Sequence, residues 1–225
     1  MRLRIRWDWL RALALVLVAV SAGPFVAHAL GLGWQGLRQG VVEDAHVFAT
    51  GRWAPNLSMA LHMWAGAVIT ALAPLQMVGP VRRRWPRVHR AAGHAVIATA
   101  LISGLAGLIY IALRRTVGGL PMDVAFATYG ALVIWAALMT LRHARTGDRL
   151  RHRNWGLRMF VLAIGSLVYR IHYGLWFLAT GGAGVEEGFT GAFDLVNLWA
   201  FFIPYLLAVE LWIRTTAPPP TRATA

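Results

Sequence analysis

No cysteine occurs anywhere in the 225 residues. That absence excludes disulfides, thiolate nucleophiles, cysteine-held zinc, iron–sulfur clusters and covalent CxxCH haem. Charge is also scarce. Asp, Glu, Lys and Arg make up only 14% of the chain, against about 25% in a soluble domain. Acid is the scarcer sign, with 9 Asp and Glu against 22 basic residues and a net charge of +13. Neither an HExxH nor a nucleophile-elbow motif is present, so a hydrolase has no support. No alternating strand pattern suggests a β-barrel, and no internal repeat suggests an inverted-repeat transporter.

What the chain does have is apolar length. Hydrophobic residues account for 58% of it. A membrane helix needs about 20 mostly apolar residues to cross about 30 Å of hydrocarbon. Six stretches qualify, over residues 10–30, 57–78, 91–113, 121–141, 157–180 and 192–213. These predict an all-α polytopic bundle, one transmembrane domain over residues 1–214 with a disordered tail over 215–225. Pro24 and Pro204 predict kinks in the first and last spans. A basic start followed by Ala27, His28 and Ala29 also resembles a signal-peptide cleavage site. The long apolar stretch and Pro24 favour a retained helix instead. The longest loop, Gly31–Asn56, has room for a short interfacial helix.

Arginine placement orients the bundle. Arg2, Arg4, Arg6 and Arg11 precede the first span, and Arg82, Arg83, Arg84, Arg87 and Arg90 lie between the second and third. Arg142, Arg145, Arg149, Arg151 and Arg153 lie between the fourth and fifth, and Arg214 and Arg222 follow the last. The opposite loops hold only Arg38, Arg52, Arg114 and Arg115, together with most of the acids. Both termini are therefore expected in the cytoplasm of a bacterial inner membrane. The basic loops are expected to rest on an anionic inner leaflet rather than on nucleic acid. Oligomeric state stays open.

Ionisable groups inside spans are costly and are candidate functional residues. His62 lies ~8 Å and His172 ~12 Å from the outer ends of their helices, at 1.5 Å per residue. Two imidazoles at similar depth on different helices are the minimum for bis-histidine ligation of haem b, with Gly66 leaving room for a flat ring. Hydrogen bonding across a helix interface is the plainer role for such histidines. His94 and His152, with His89 and His143, form a second group at the cytoplasmic side, where a haem or a quinone is conceivable. Arg158 and Glu210 lie at the same end and are expected to pair. Arg170 is too deep to snorkel easily, and its expected partner is Asp194 or Asn197 on the last span, with helix carbonyls, water or an anionic ligand as the alternatives. Gly93, Ala100, Gly104 and Gly107 form a small-residue packing seam.

Several runs carry a family resemblance: LHMWAG from Leu61, APLQ from Ala73, RRRWPRVHRAAGH from Arg82, RHRNWGLRMF from Arg151, and a late EE followed by AVELWIR. Over roughly Leu57 to Arg214 the chain resembles the bacterial membrane proteins of domain of unknown function 2306. The Pro-x-x-His-Arg-x-x-Gly element is here Pro86, His89, Arg90 and Gly93, and the second element pairs His152 with Arg158. The resemblance implies about six helices, a membrane location and attention to His62, His89, Arg90, His152, Arg158 and Glu210. It implies no established activity. Two departures are His94, where the family carries arginine, and His172, which is not a family position. The leading expectation is a redox component that binds haem b or a quinone between helices. A small-solute or proton-coupled transporter or binding protein, and a non-catalytic assembly subunit, are the alternatives.

Overall fold

The computed structural model describes residues 2–40 and 47–216. The chain forms α1 (Arg2–Gln39), α2 (Trp53–Met77), α3 (Gly79–Arg84), α4 (Pro86–Arg114), α5 (Gly119–Arg145), α6 (Arg149–Ala163), α7 (Gly165–Thr180), α8 (Ala192–Ala200) and α9 (Ile203–Thr215). No strand occurs among the described residues. Five stretches are long and apolar enough to cross a membrane: Val16–Gln39, α2, α4, α5 and the run of α8 with α9. The pair α6 and α7, bent by 44°, makes a sixth. The protein is a multi-pass all-α membrane bundle. Of the tail expected over 215–225, Thr215 is the last residue of α9, and residues 217–225 lie outside the described residues.

The ends of the helices follow from local chemistry. Proline opens α3, α4 and α9, where the missing N–H costs nothing and the fixed φ suits a first turn. Pro24 lies inside α1, which runs past it to Gln39, well beyond the expected end at Leu30. Pro204 follows a break at Phe201 and Phe202 that separates α8 from α9. Gly181, in the left-handed region at φ 68°, ends α7 as a side chain there could do only with strain.

The span expected as one helix over 157–180 is broken at Ile164. The cause comes from another helix: the Tyr129 hydroxyl of α5 donates to the Leu162 carbonyl. A Cβ on Gly165 would lie 2.8 Å from that same hydroxyl, so only glycine admits the ring. A side chain entering the backbone ladder is an ordinary cause of a sharp bend.

In the packing, α2 lies against α4 and α1, α4 against α5, α5 against α6 and α8, and α6 against α9. The core holds Ile69, Val96, Ile97, Ala100, Val133, Ala136, Ala137, Met159 and Leu162, closed by Phe201 and Phe202. Tyr129, Phe126 and Tyr169 meet Phe201 edge-on. The small-residue seam of α4 divides between two neighbours. Gly93 faces Gln76 and Gly107 faces His62 on α2, whereas Gly104 faces Ile134 and the Gly130 carbonyl on α5. A Cβ at Gly104 would fall 2.6 Å from Ile134 Cγ1. Gly104→Val is therefore expected to lower stability by about 1–3 kcal/mol, the cost of overpacking. Denaturant unfolding in mixed micelles measures it, and an unchanged midpoint would disprove close α4–α5 packing.

Candidate functional site

The arginine-rich end gathers residues from α2, α4, α5, α6 and α9. The corner α2–α3–α4 starts the assembly. Val78 is extended, α3 turns the chain over six residues, and Trp85 leaves the helix before Pro86 restarts it. Gln76 at the end of α2 thereby faces the first turns of α4. With its amide nitrogen toward His89, Gln76 donates to His89 Nδ1 at 3.1 Å and to the His89 carbonyl at 3.3 Å, and its oxygen accepts from the Gly93 N–H at 3.3 Å. That orientation follows from the hydrogen-bond network. It leaves the neutral His89 ring with its proton on Nε2.

His152 takes the opposite tautomer. Its Nδ1 lies 3.0 Å from the Thr140 carbonyl near the end of α5, which can only accept, so Nδ1 carries a proton, and in the neutral ring Nε2 keeps the lone pair. Asp148 fixes the start of α6 by accepting from the Arg151 N–H at 3.0 Å. His89 and His152, both half-buried, are close enough to interact electrostatically. With both rings neutral, one imidazole offers a donor and its neighbour an acceptor.

Further along α6, Arg158 donates to Glu210 Oε2 of α9 from Nη2 at 2.5 Å and from Nε at 3.1 Å. Arg214 donates to the other oxygen at 2.9 Å. The Arg158 guanidinium lies over the Trp155 ring at 4.7 Å, and Arg153 lies over Trp212 at 5.1 Å. Buried Asn154 Oδ1 has no hydrogen-bond partner among the described residues. His94 and Arg90 are exposed at this end, with His94 Nδ1 donating to the Arg90 carbonyl at 2.8 Å.

The other expected residues stand apart from this group. His62 clamps α2 to α4: its Nδ1 donates to the Ser103 carbonyl at 2.9 Å, and Ser103 Oγ donates to the His62 carbonyl at 3.1 Å. His172 has both ring nitrogens engaged, Nδ1 with Asn197 Oδ1 at 2.7 Å and Nε2 with the Tyr205 hydroxyl at 2.8 Å. Asn197 also donates to the Tyr169 carbonyl at 3.3 Å. Asp194, fully buried, accepts from the Tyr173 hydroxyl at 2.6 Å. The expected bond from Arg170 to Asp194 or Asn197 is therefore replaced. Arg170 turns to the other flank, donates to the Ser166 carbonyl at 3.0 Å and lies over the Phe25 ring of α1 at 4.8 Å.

A haem between His62 and His172 does not fit this packing. His172 would have to give up one of its two side-chain partners to reach iron. The face of α2 at Gly66 is no slot, since a Cβ there would sit 3.7 Å from Ser103 Oγ. Two open depressions lie elsewhere. One of about 250 Å³ is at the Gly51 end of α1 and α2, and an apolar one of about 230 Å³ lies between Val26, Leu30 and Ala67 to Leu72. No group of three or more metal-binding side chains occurs among the described residues.

Sequence reasoning alone did not single out Gln76, Thr140, Ser103, Asn154 or Tyr205. Gln76 stands in the APLQ run, which was a signal. Thr140 carried none, because His152 uses its backbone carbonyl, and Ser103 meets His62 through both its carbonyl and its hydroxyl.

Comparison with known proteins gives one match. The family described as "Predicted membrane protein (DUF2306)" matches residues 59–213. No curated protein and no solved structure matches. Every residue of the assembly at the arginine-rich end except Arg214 lies inside the matched stretch.

Proposed function

The chain belongs to the DUF2306 family of predicted membrane proteins, and from that premise we propose a redox component of the bacterial inner membrane that binds a quinone head group at its arginine-rich, cytoplasmic end. The carrying observation is the hydrogen-bond partners of His89 and His152, the Gln76 amide and the Thr140 carbonyl, which assign the two neutral rings opposed tautomers. A quinone or its quinol presents carbonyl and hydroxyl oxygens on one small ring. A neutral imidazole with Nε2–H donates to a carbonyl, and one with a free Nε2 accepts from a hydroxyl. The isoprenoid tail would lie along the apolar helices. Haem b asks for something else, a lone pair on both imidazoles, and would require His89 to change tautomer and release Gln76.

The test is binding of a short-chain quinol to the full chain in detergent, read by quenching of tryptophan fluorescence. Saturable binding is expected, weakened about tenfold or more by His152→Ala and by His89→Ala, the cost of one well-placed hydrogen bond left unmade. His172→Ala should leave it unchanged. An absorbance spectrum taken oxidised and then dithionite-reduced, after expression with ample haem, is the second arm. A Soret band lost in His152→Ala would replace the quinone reading with haem b. A colourless protein with no saturable binding would end both.

A non-catalytic assembly subunit is the second reading. It is favoured by charges that settle within the chain, at Glu210 with Arg158 and Arg214 and at Asp123 with Arg115.

A further inference from the structure

Arg170 stands outside this economy of internal pairs. It is ten residues before the end of α7 at Thr180, ~15 Å along the helix axis, and it belongs to the bent span. Its side chain is exposed on the flank of the bundle. It donates to a backbone carbonyl of its own helix and lies over the face of Phe25, with His62, Tyr129 and Tyr169 within electrostatic range. None of these neutralises a guanidinium, and no ion pair of the described residues includes it. A charge at such depth normally pairs or lines a watered cavity. The depressions described above do not reach it.

The same flank has the surface of a helix contact. Ile171, Leu175 and Leu178 are exposed at 38%, 60% and 86%, and they share one side of α7 with Arg170. Gly174 lies among them, and a Cβ built there meets nothing within 4 Å. A small residue flanked by apolar ones lets a second helix approach closely. We propose that this face of α7, with Phe25 beside it, receives a transmembrane helix of another protein that carries one Asp or Glu at the depth of Arg170. The described acidic side chains within the spans of a second copy of this chain do not supply that acid. Asp123 is held by Arg115 and Thr116, Asp194 by Tyr173 and loop amides, and Glu210 by two arginines. A phospholipid head group fits less well, because it would have to leave the interface and travel to mid-span. This inference is independent of the quinone reading, which rests on the opposite side groups of α4 and α6.

The test uses the full chain, donor-labelled, in phosphatidylcholine vesicles with an acceptor-labelled polyleucine transmembrane peptide bearing one central Glu, Gln or Leu. Energy transfer should show the Glu peptide associating about tenfold more tightly than the Leu peptide, as a polar contact in lipid allows. Arg170→Gln should remove the preference and Arg170→Lys should keep it. Gly174→Leu, which the open space around Gly174 tolerates, should weaken association while leaving the charge in place. That variant keeps the test valid if Arg170→Gln does not fold. Equal association of the Glu and Leu peptides overturns the proposal. So does a preference that survives both Arg170→Gln and Gly174→Leu. Displacement of the Glu peptide by a few per cent of oleate in the vesicles would assign the face to an anionic amphiphile and overturn the helix partner.

Discussion

Asp194→Ala is expected to be the most damaging single substitution in the described structure, with a loss of about 3–5 kcal/mol. The side chain has no exposed surface and accepts three bonds: from the Tyr173 hydroxyl at 2.6 Å, the Glu186 N–H at 2.9 Å and the Gly191 N–H at 3.0 Å. Two of the donors are loop amides. Asp194 is thus the post to which the Gly181–Gly191 connection is tied, and it also anchors α7 to α8 through Tyr173. Alanine would strand three donors at once, and buried donors without acceptors cost about 1–3 kcal/mol each. They would not add fully, because the loop would swing to water. Tyr173→Phe removes one bond to a charged acceptor and should cost about 1.5–3 kcal/mol, so it calibrates the whole. Denaturant unfolding in mixed micelles gives both numbers. Limited proteolysis adds a separate readout, since Asp194→Ala should expose the glycine-rich loop to cleavage while Tyr173→Phe should not. A loss below about 1 kcal/mol for Asp194→Ala would mean that the loop is not held as described.

The spans were legible because lipid leaves a helix no alternative. Backbone groups must pair within the segment, so long apolar runs declare themselves by hydropathy alone. The break in the fifth span was not legible from residues 157–180. Its agent, Tyr129, belongs to α5 and reaches Leu162 only after the helices have packed. That bend sets which way α7 faces. Arg170 takes one of its expected alternatives, a helix carbonyl, because Asp194 and Asn197 serve Tyr173 and His172 instead. The pairing of Arg158 with Glu210 was legible for the opposite reason. Both lie the same short distance from one end of their spans, and two costly charges at one depth have an evident solution. The assembly around His89 and His152 was legible only as a set of family positions. Its chemistry lies in tautomers, which depend on the Gln76 amide and the Thr140 carbonyl, and no side-chain pattern announces a carbonyl.

Glu210→Ala is the second large effect, expected at about 2–3 kcal/mol. The Arg158 side chain is 23% exposed and that of Glu210 is 32% exposed, so the pair is only partly withdrawn from solvent and lies below a fully buried one in cost. Removal of the carboxylate leaves Arg158 against Trp155 with no anion, and α6 loses its polar tie to α9. Arg214→Ala removes the outer partner, whose side chain is 75% exposed, and should cost less than about 0.5 kcal/mol. The asymmetry between the two arginines is the informative part. If the carboxylate serves only to settle Arg158, then Arg158→Met combined with Glu210→Leu should recover most of the lost stability, because an apolar pair avoids the desolvation of both charges. If the double variant is stable but no longer binds a quinol, the ion pair is needed for the site and not for the fold. Arg158 would then act by holding α6, and with it His152, at the right height. A double variant as unstable as Glu210→Ala would show instead that the guanidinium is held by more than its acid, and the stacking on Trp155 would become the interaction to remove next.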